Sequence, residues 1–352
     1  MKGLSVLTSF IIWDLVLRTL AALMVVSLLL YLLDNTLIFW FDWPGIRKMI
    51  THFGGLINAG NAGQSFKSLS TAEVVRGWIQ LLAFLGSFVV IFVLVARTYS
   101  RQLRQDAKLY SRIAAFIVRA AFWSVFLVGL TDMVISFLRV EEFLTIFVGR
   151  HFTTQLGIST FRGTYIHFPL ILLSIVIASF TRTLGFIWLA LLIVAAEFVI
   201  VITRFIFSYE QAFMGDLVRF WYAGLFLFAS AYTLLHDGHV RVDVLYTNFS
   251  EKGKALSNTF GSLLFGLPLC WNILIQGMSG KGSIINSPLL NFEISQSGFG
   301  MYTKYLMASY LLVFSASMIV QFVSFILSNV ANYRGDTDPV NQALSGELSE
   351  SD

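Results

Sequence analysis

The sequence predicts an all-α polytopic membrane protein, a bundle of about eight transmembrane helices. Three observations predict it. Of 352 residues, 57% are hydrophobic and only 12% are charged; a soluble domain carries roughly 25% charged residues. The mean hydropathy is +0.76. The apolar residues also fall into runs near the 20 or so residues needed to cross the hydrocarbon core. A chain so poor in charge cannot coat a surface that faces water. Only 5 prolines are present, and the runs do not alternate as barrel strands do, so they are helices.

The eight spans cover roughly 10–33, 77–97, 113–137, 163–181, 184–207, 216–235, 257–278 and 303–328. The first is longer than the 7–15-residue core of a signal peptide. It carries Asp14 and Arg18 and lacks a small-residue cleavage site, so it is expected to be a retained helix. Spans four and five are separated only by Thr181, Arg182 and Thr183. One continuous helix there would be about 60 Å long, with Arg182 at mid-bilayer, so a hairpin is expected. The 34–76 connection holds the aromatic cluster Trp40, Phe41 and Trp43, followed by Pro44. Aromatic residues suit the membrane interface, and proline suits the start of a short surface helix. The stretch 139–161, bordered by Arg162, holds Glu141, Glu142 and Arg150 among Phe and Leu and also suits the interface.

Orientation follows the Lys/Arg bias of short loops. Arg97, Arg101, Arg104, Lys108 and Arg112 face the single acid Asp106 in one loop, which places that loop and both termini in the cytoplasm. The 34–76 connection is then periplasmic. The net charge of +4 is spread between apolar runs, as topology signals are, so no nucleic-acid partner is expected. The single cysteine, Cys270, lies in an apolar run and is expected to be a packing residue.

A weak internal repeat is visible. Glu73-Val-Val-Arg76-Gly-Trp78 and Asp216-Leu-Val-Arg219-Phe-Trp221 share one pattern 143 positions apart, and Gly163-Thr-Tyr165 resembles Gly300-Met-Tyr302. This suggests an N-terminal helical module over 1–183, a four-helix domain over 184–333, and a disordered acidic tail over 334–352.

Ionisable residues inside spans are functional candidates by default. Here they are Glu197, Asp132 and Arg119, with Asp14 and Arg18 spaced to pair along one helix face. A coupled-ion site usually needs broken helices, and only Pro169 and Pro268 lie inside spans. His236, Asp237, His239 and Asp243 lack the spacing of a helical zinc site. No Walker A, dinucleotide-binding, haem-attachment or nucleophile-elbow motif is present, so neither an enzyme nor a cofactor or metal site is expected.

The strongest motif runs from Arg204 through Asp216, Arg219 and Trp221, along an aromatic span, to the turn His239-Val-Arg241-Val-Asp243. Together with Glu293 and Gly300-Met-Tyr302-Thr-Lys304, it resembles the small membrane subunit, DctQ type, of tripartite ATP-independent periplasmic (TRAP) transporters. The resemblance covers about 184–330; the first 183 residues depart from the minimal family pattern. It implies a bacterial inner-membrane protein that partners a large permease subunit of DctM type. That subunit holds the sodium and substrate sites, and a periplasmic binding protein delivers an organic acid anion. The small subunit scaffolds the machinery and has no catalytic site. Arg204, Asp216, Arg219, Trp221, His239, Arg241, Asp243, Glu293 and Lys304 are then candidates for the subunit interface or for structural roles. The alternatives are an accessory subunit of another membrane complex and a self-sufficient secondary transporter. Membrane lipid is a partner in every case.

Overall fold

A computed structural model describes residues 2–58, 69–182, 186–209, 212–235, 246–295 and 300–336. Among them there is no strand, and eight helices are long and apolar enough to cross a membrane. In chain order the helices are α1 (Lys2–Phe41), α2 (Gly45–Asn58), α3 (Thr71–Arg97), α4 (Leu103–Val140) and α5 (Leu144–Leu156). Then come α6 (Ser159–Phe180), α7 (Phe186–Ile206), α8 (Ala212–Leu235), α9 (Glu251–Gly277), α10 (Asn286–Asn291) and α11 (Lys304–Arg334). All but α2, α5 and α10 are candidate spans. The observed helices overrun the apolar stretches at their polar ends, because backbone hydrogen bonding continues where hydrophobicity has stopped.

Two compact units are present: Met1–Lys108 with Ile326–Asp352, and Leu109–Phe325. In the first unit α1 packs against α3, and α2 follows Pro44 directly. A capping box starts α3: the Ser70 hydroxyl accepts from the Glu73 amide, and the Glu73 carboxylate accepts from the Ser70 amide. The two reciprocal bonds satisfy otherwise orphaned groups. At the other end of α3, Arg18 donates from Nε to Asp106 (2.6 Å), from Nη1 to the Thr98 carbonyl (2.6 Å) and from Nη2 to the Thr98 hydroxyl (2.9 Å). Asp14 pairs with Arg334. The expected Asp14–Arg18 pair along α1 is therefore replaced by two long-range pairs. A cation at the C-terminal carbonyls of α3 gains from the helix dipole, which a local i,i+4 pair does not offer. Further along α1, Gln80 donates to Asp34 (2.8 Å) and accepts from the Gly45 amide (3.2 Å). That bond satisfies an N-terminal amide of α2.

In the second unit α4 and α8 form the apolar centre. Phe122 meets Phe228 edge to face at 5.9 Å, and Tyr310 of α11 packs on both Phe220 and Phe228. Trp221 is buried and donates to the Val125 carbonyl (3.2 Å). A Cβ at Gly129 would lie 2.3 Å from the Trp221 indole nitrogen, so only glycine admits the ring.

Both in-span prolines follow a five-residue π turn: Gly163–His167 before Pro169 and Ser262–Gly266 before Pro268. Proline has no N–H and its ring crowds the preceding turn; a widened turn relieves that conflict and re-aims the side chains within it. Helix α6 ends at Phe180, and Thr181 is extended (φ −90°, ψ 141°). Spans four and five are thus two helices, and residues 183–185 between them lie outside the described residues.

Candidate functional site: a buried charge cluster and an outward carboxylate

Asp132 lies four residues before Ser136 on one face of α4, and both are completely buried. The Asp132 Oδ1 atom accepts from Arg162 Nη1 at 2.9 Å and lies 3.1 Å from His167 Nε2. Its Oδ2 accepts from the Tyr302 backbone amide at 2.8 Å. His167 Nδ1 lies 2.8 Å from the Tyr305 hydroxyl. A neutral imidazole protonated on Nε2 satisfies both contacts: it donates to Asp132 and accepts from Tyr305.

Arg162 is also fully buried. Its Nε and Nη2 both donate to the Leu156 carbonyl, at 2.9 and 2.7 Å. That carbonyl belongs to the last turn of α5, where acceptors lack helical partners. The guanidinium carbon lies 4.1 Å from the centre of the Tyr302 ring, a cation–π contact that strengthens when desolvated. The Tyr302 hydroxyl donates to the Gly157 carbonyl (3.0 Å) and accepts from Arg139. Arg162 was expected at the interface; its pairing with a desolvated carboxylate draws it inside instead. An unpaired charge deep in a span costs roughly 2.5–3.5 kcal/mol even on the mildest scale.

The π turn in α6 sets the geometry. His167 closes that turn, and Gly163 opens it. A Cβ on Gly163 would lie 2.4 Å from the Phe292 ring and 3.0 Å from the Tyr305 hydroxyl. Glycine therefore lets α6 approach the chain before α11 closely enough for His167 to reach both Asp132 and Tyr305.

The segment 300–305 is the hub of the cluster. Besides Tyr302 and Tyr305, the Met301 amide donates to Asp216 at 3.2 Å, and Lys304 pairs with Glu293 at 2.6 Å. Five of the sequence candidates thus have direct positions. Asp216 ties α8 to the hub, and Arg219, largely exposed, lies 3.8 Å from Asp216. Glu293 and Lys304 pair with each other beside the hub, and Trp221 is packed within the core. Arg204 is exposed near the end of α7. His239, Arg241 and Asp243 lie outside the described residues, as do His236 and Asp237.

Sequence reasoning missed Arg162, His167, Tyr302, Tyr305 and Ser136 as one set. A partial signal existed: Asp132 and Ser136 share a helical face in an apolar span, and Arg162 precedes His167 in a span with a proline. The contact with 300–305 leaves no local trace.

Glu197 presents the opposite case. It lies at the centre of α7, is exposed, and has no ion-pair or hydrogen-bond partner among the described residues. Val194, Phe198 and Val201 around it are exposed as well. Arg119 on α4 is half-buried above the Phe116 ring at 6.0 Å, and its Nε atom has no hydrogen-bond partner among the described residues. Among the described residues no three His, Cys, Asp or Glu side chains converge as a metal site.

Residues 191–332 match the family model described as the DctQ component of tripartite ATP-independent periplasmic transporters. No curated protein and no solved structure matches the chain. The matched region takes in about three quarters of α7 and all of α8, α9 and α10, with α11 almost to its end. This part of the chain is similar to the DctQ component, and its long apolar helices are candidate membrane spans. The helices α1 to α6 precede it as an N-terminal extension.

Proposed function

We propose that the chain is the small, scaffolding membrane subunit of a TRAP-type secondary transporter. It supports a large permease subunit of DctM type in sodium-coupled uptake of an organic acid anion, which a periplasmic binding protein delivers. The observation that carries this reading is the family match over 191–332, which takes in four of the candidate spans almost entirely. The buried Asp132–Arg162–His167 cluster fits a structural role. Its groups are engaged with one another, with the Tyr302 amide and with the Leu156 carbonyl, as groups that hold helices together are. In this reading the protein lies in the bacterial inner membrane with both termini in the cytoplasm, and residues 1–183 are an added helical module that enlarges the scaffold.

The test is reconstitution. Proteoliposomes with this chain and the large subunit, supplied with the binding protein, are expected to take up an organic acid anion only under a sodium gradient. Omitting this chain is expected to abolish uptake. Uptake of equal rate without it, or by this chain alone, would overturn the reading.

A further inference from the structure

Helix α7 is the least covered of the eight spans: 11% of its apolar window is buried within the chain, against 56% for α11. It packs chiefly on α8. An ordinary lipid-facing helix would carry only apolar residues on its open side, since nothing in the hydrocarbon core satisfies a carboxylate. Yet the open side of α7 carries Glu197, roughly 15 Å from either end at 1.5 Å per residue and therefore at the depth of the bilayer centre. The other in-span acids are met inside the chain. Asp132 has Arg162, His167 and the Tyr302 amide; Asp14 has Arg334; Asp34 has Gln80. Glu197 alone of these points outward without a described partner.

The geometry points to a docking surface on α7, formed by Val194, Glu197, Phe198 and Val201, for a transmembrane helix of another subunit that presents a Lys or Arg at mid-bilayer. Charge complementarity selects the occupant. Lipid tails offer no counter-charge. A second copy of this chain related by a two-fold axis through this face would set Glu197 against Glu197. The valines flanking the acid keep a rigid surface with little side-chain entropy to lose, and the acid fixes register, as a single buried polar residue does in a helix pair. Identifying the partner as the large permease subunit rests on the function proposed above.

The experiment co-expresses this chain, affinity-tagged, with the large subunit and measures the large subunit recovered in mild detergent. Glu197→Lys is expected to lower recovery at least tenfold and Glu197→Gln severalfold, while both variants elute from gel filtration as monodispersely as the parent. A photo-crosslinker at Val201 is expected to join this chain to one helix of the large subunit. Changing that helix's basic residue to Glu is expected to restore binding to Glu197→Lys. Full recovery with Glu197→Lys, or Val201 crosslinks only to lipid or to a second copy of this chain, would overturn the docking surface while leaving the subunit reading intact. If the parent chain recovers no large subunit, the subunit reading falls and the assigned partner falls with it.

Discussion

Two carboxylates within the membrane-spanning helices of the second unit, Asp132 and Glu197, have opposite surroundings. Asp132 has an arginine, an imidazole and a backbone amide within hydrogen-bond distance, and no solvent exposure. Glu197 lies on an open helix face between exposed valines and has none of these among the described residues. Both face the same physical demand, since a charge in hydrocarbon must be matched. One is matched by its own chain, which makes it part of the fold. The other is left for something outside the chain, which makes it part of an interface. The difference separates residues that stabilise this protein from residues that connect it, a distinction that conventional hydrophobicity does not make.

The largest expected effect breaks the internal side of that contrast. Asp132→Ala strands the Arg162 guanidinium and removes the acceptor of the Tyr302 amide. Losing one partner of a buried pair costs about 3–5 kcal/mol. Thermal unfolding in detergent is expected to show a large drop in Tm, whereas Glu197→Ala leaves the Tm of the isolated chain unchanged. Equal losses for the two variants would erase the distinction.

A smaller effect is expected in the first unit. Arg18→Ala removes three hydrogen bonds and, among the described residues, leaves the Asp106 side chain with Arg101, 3.8 Å away and half-exposed. A hydrogen bond to a charged group contributes about 1.5–3 kcal/mol, so a loss in that range is expected from the same melt. Faster hydrogen exchange at the C-terminal end of α3 and the start of α4 should accompany it. The smallest effect concerns Glu293 and Lys304. Their side chains are nearly half exposed, and such pairs contribute under about 1 kcal/mol. Lys304→Ala is expected to shift Tm only slightly and to lose its residual effect in high salt.

Much of the architecture was legible because membrane insertion writes itself into local composition. Eight apolar runs became eight helices, Pro44 marked the start of α2, and Thr181 with Arg182 marked a true break. The DctQ-like residues between Arg204 and Lys304 pointed to the region that the family model matches. Of the candidate residues, Asp216, Glu293 and Lys304 do gather around 300–305. The partners of Asp132 were not legible. Arg162 and His167 are 30 and 35 positions away and Tyr302 is 170 away, and a π turn decides which way His167 points. The Asp14–Arg18 pairing failed for the same reason, because local spacing gave way to distant partners with better geometry.

From the sequence alone came the membrane setting, the helical form and the number and order of the spans, though not the exact ends of the helices. Each of those outcomes depends on transfer free energy and backbone hydrogen bonding within one contiguous stretch. Only the tertiary structure decided which charges neutralise one another and which one is left facing outward. Pairing depends on which distant segments meet and at what angle, and a π turn or a missing Cβ at Gly163 is enough to make or prevent the meeting.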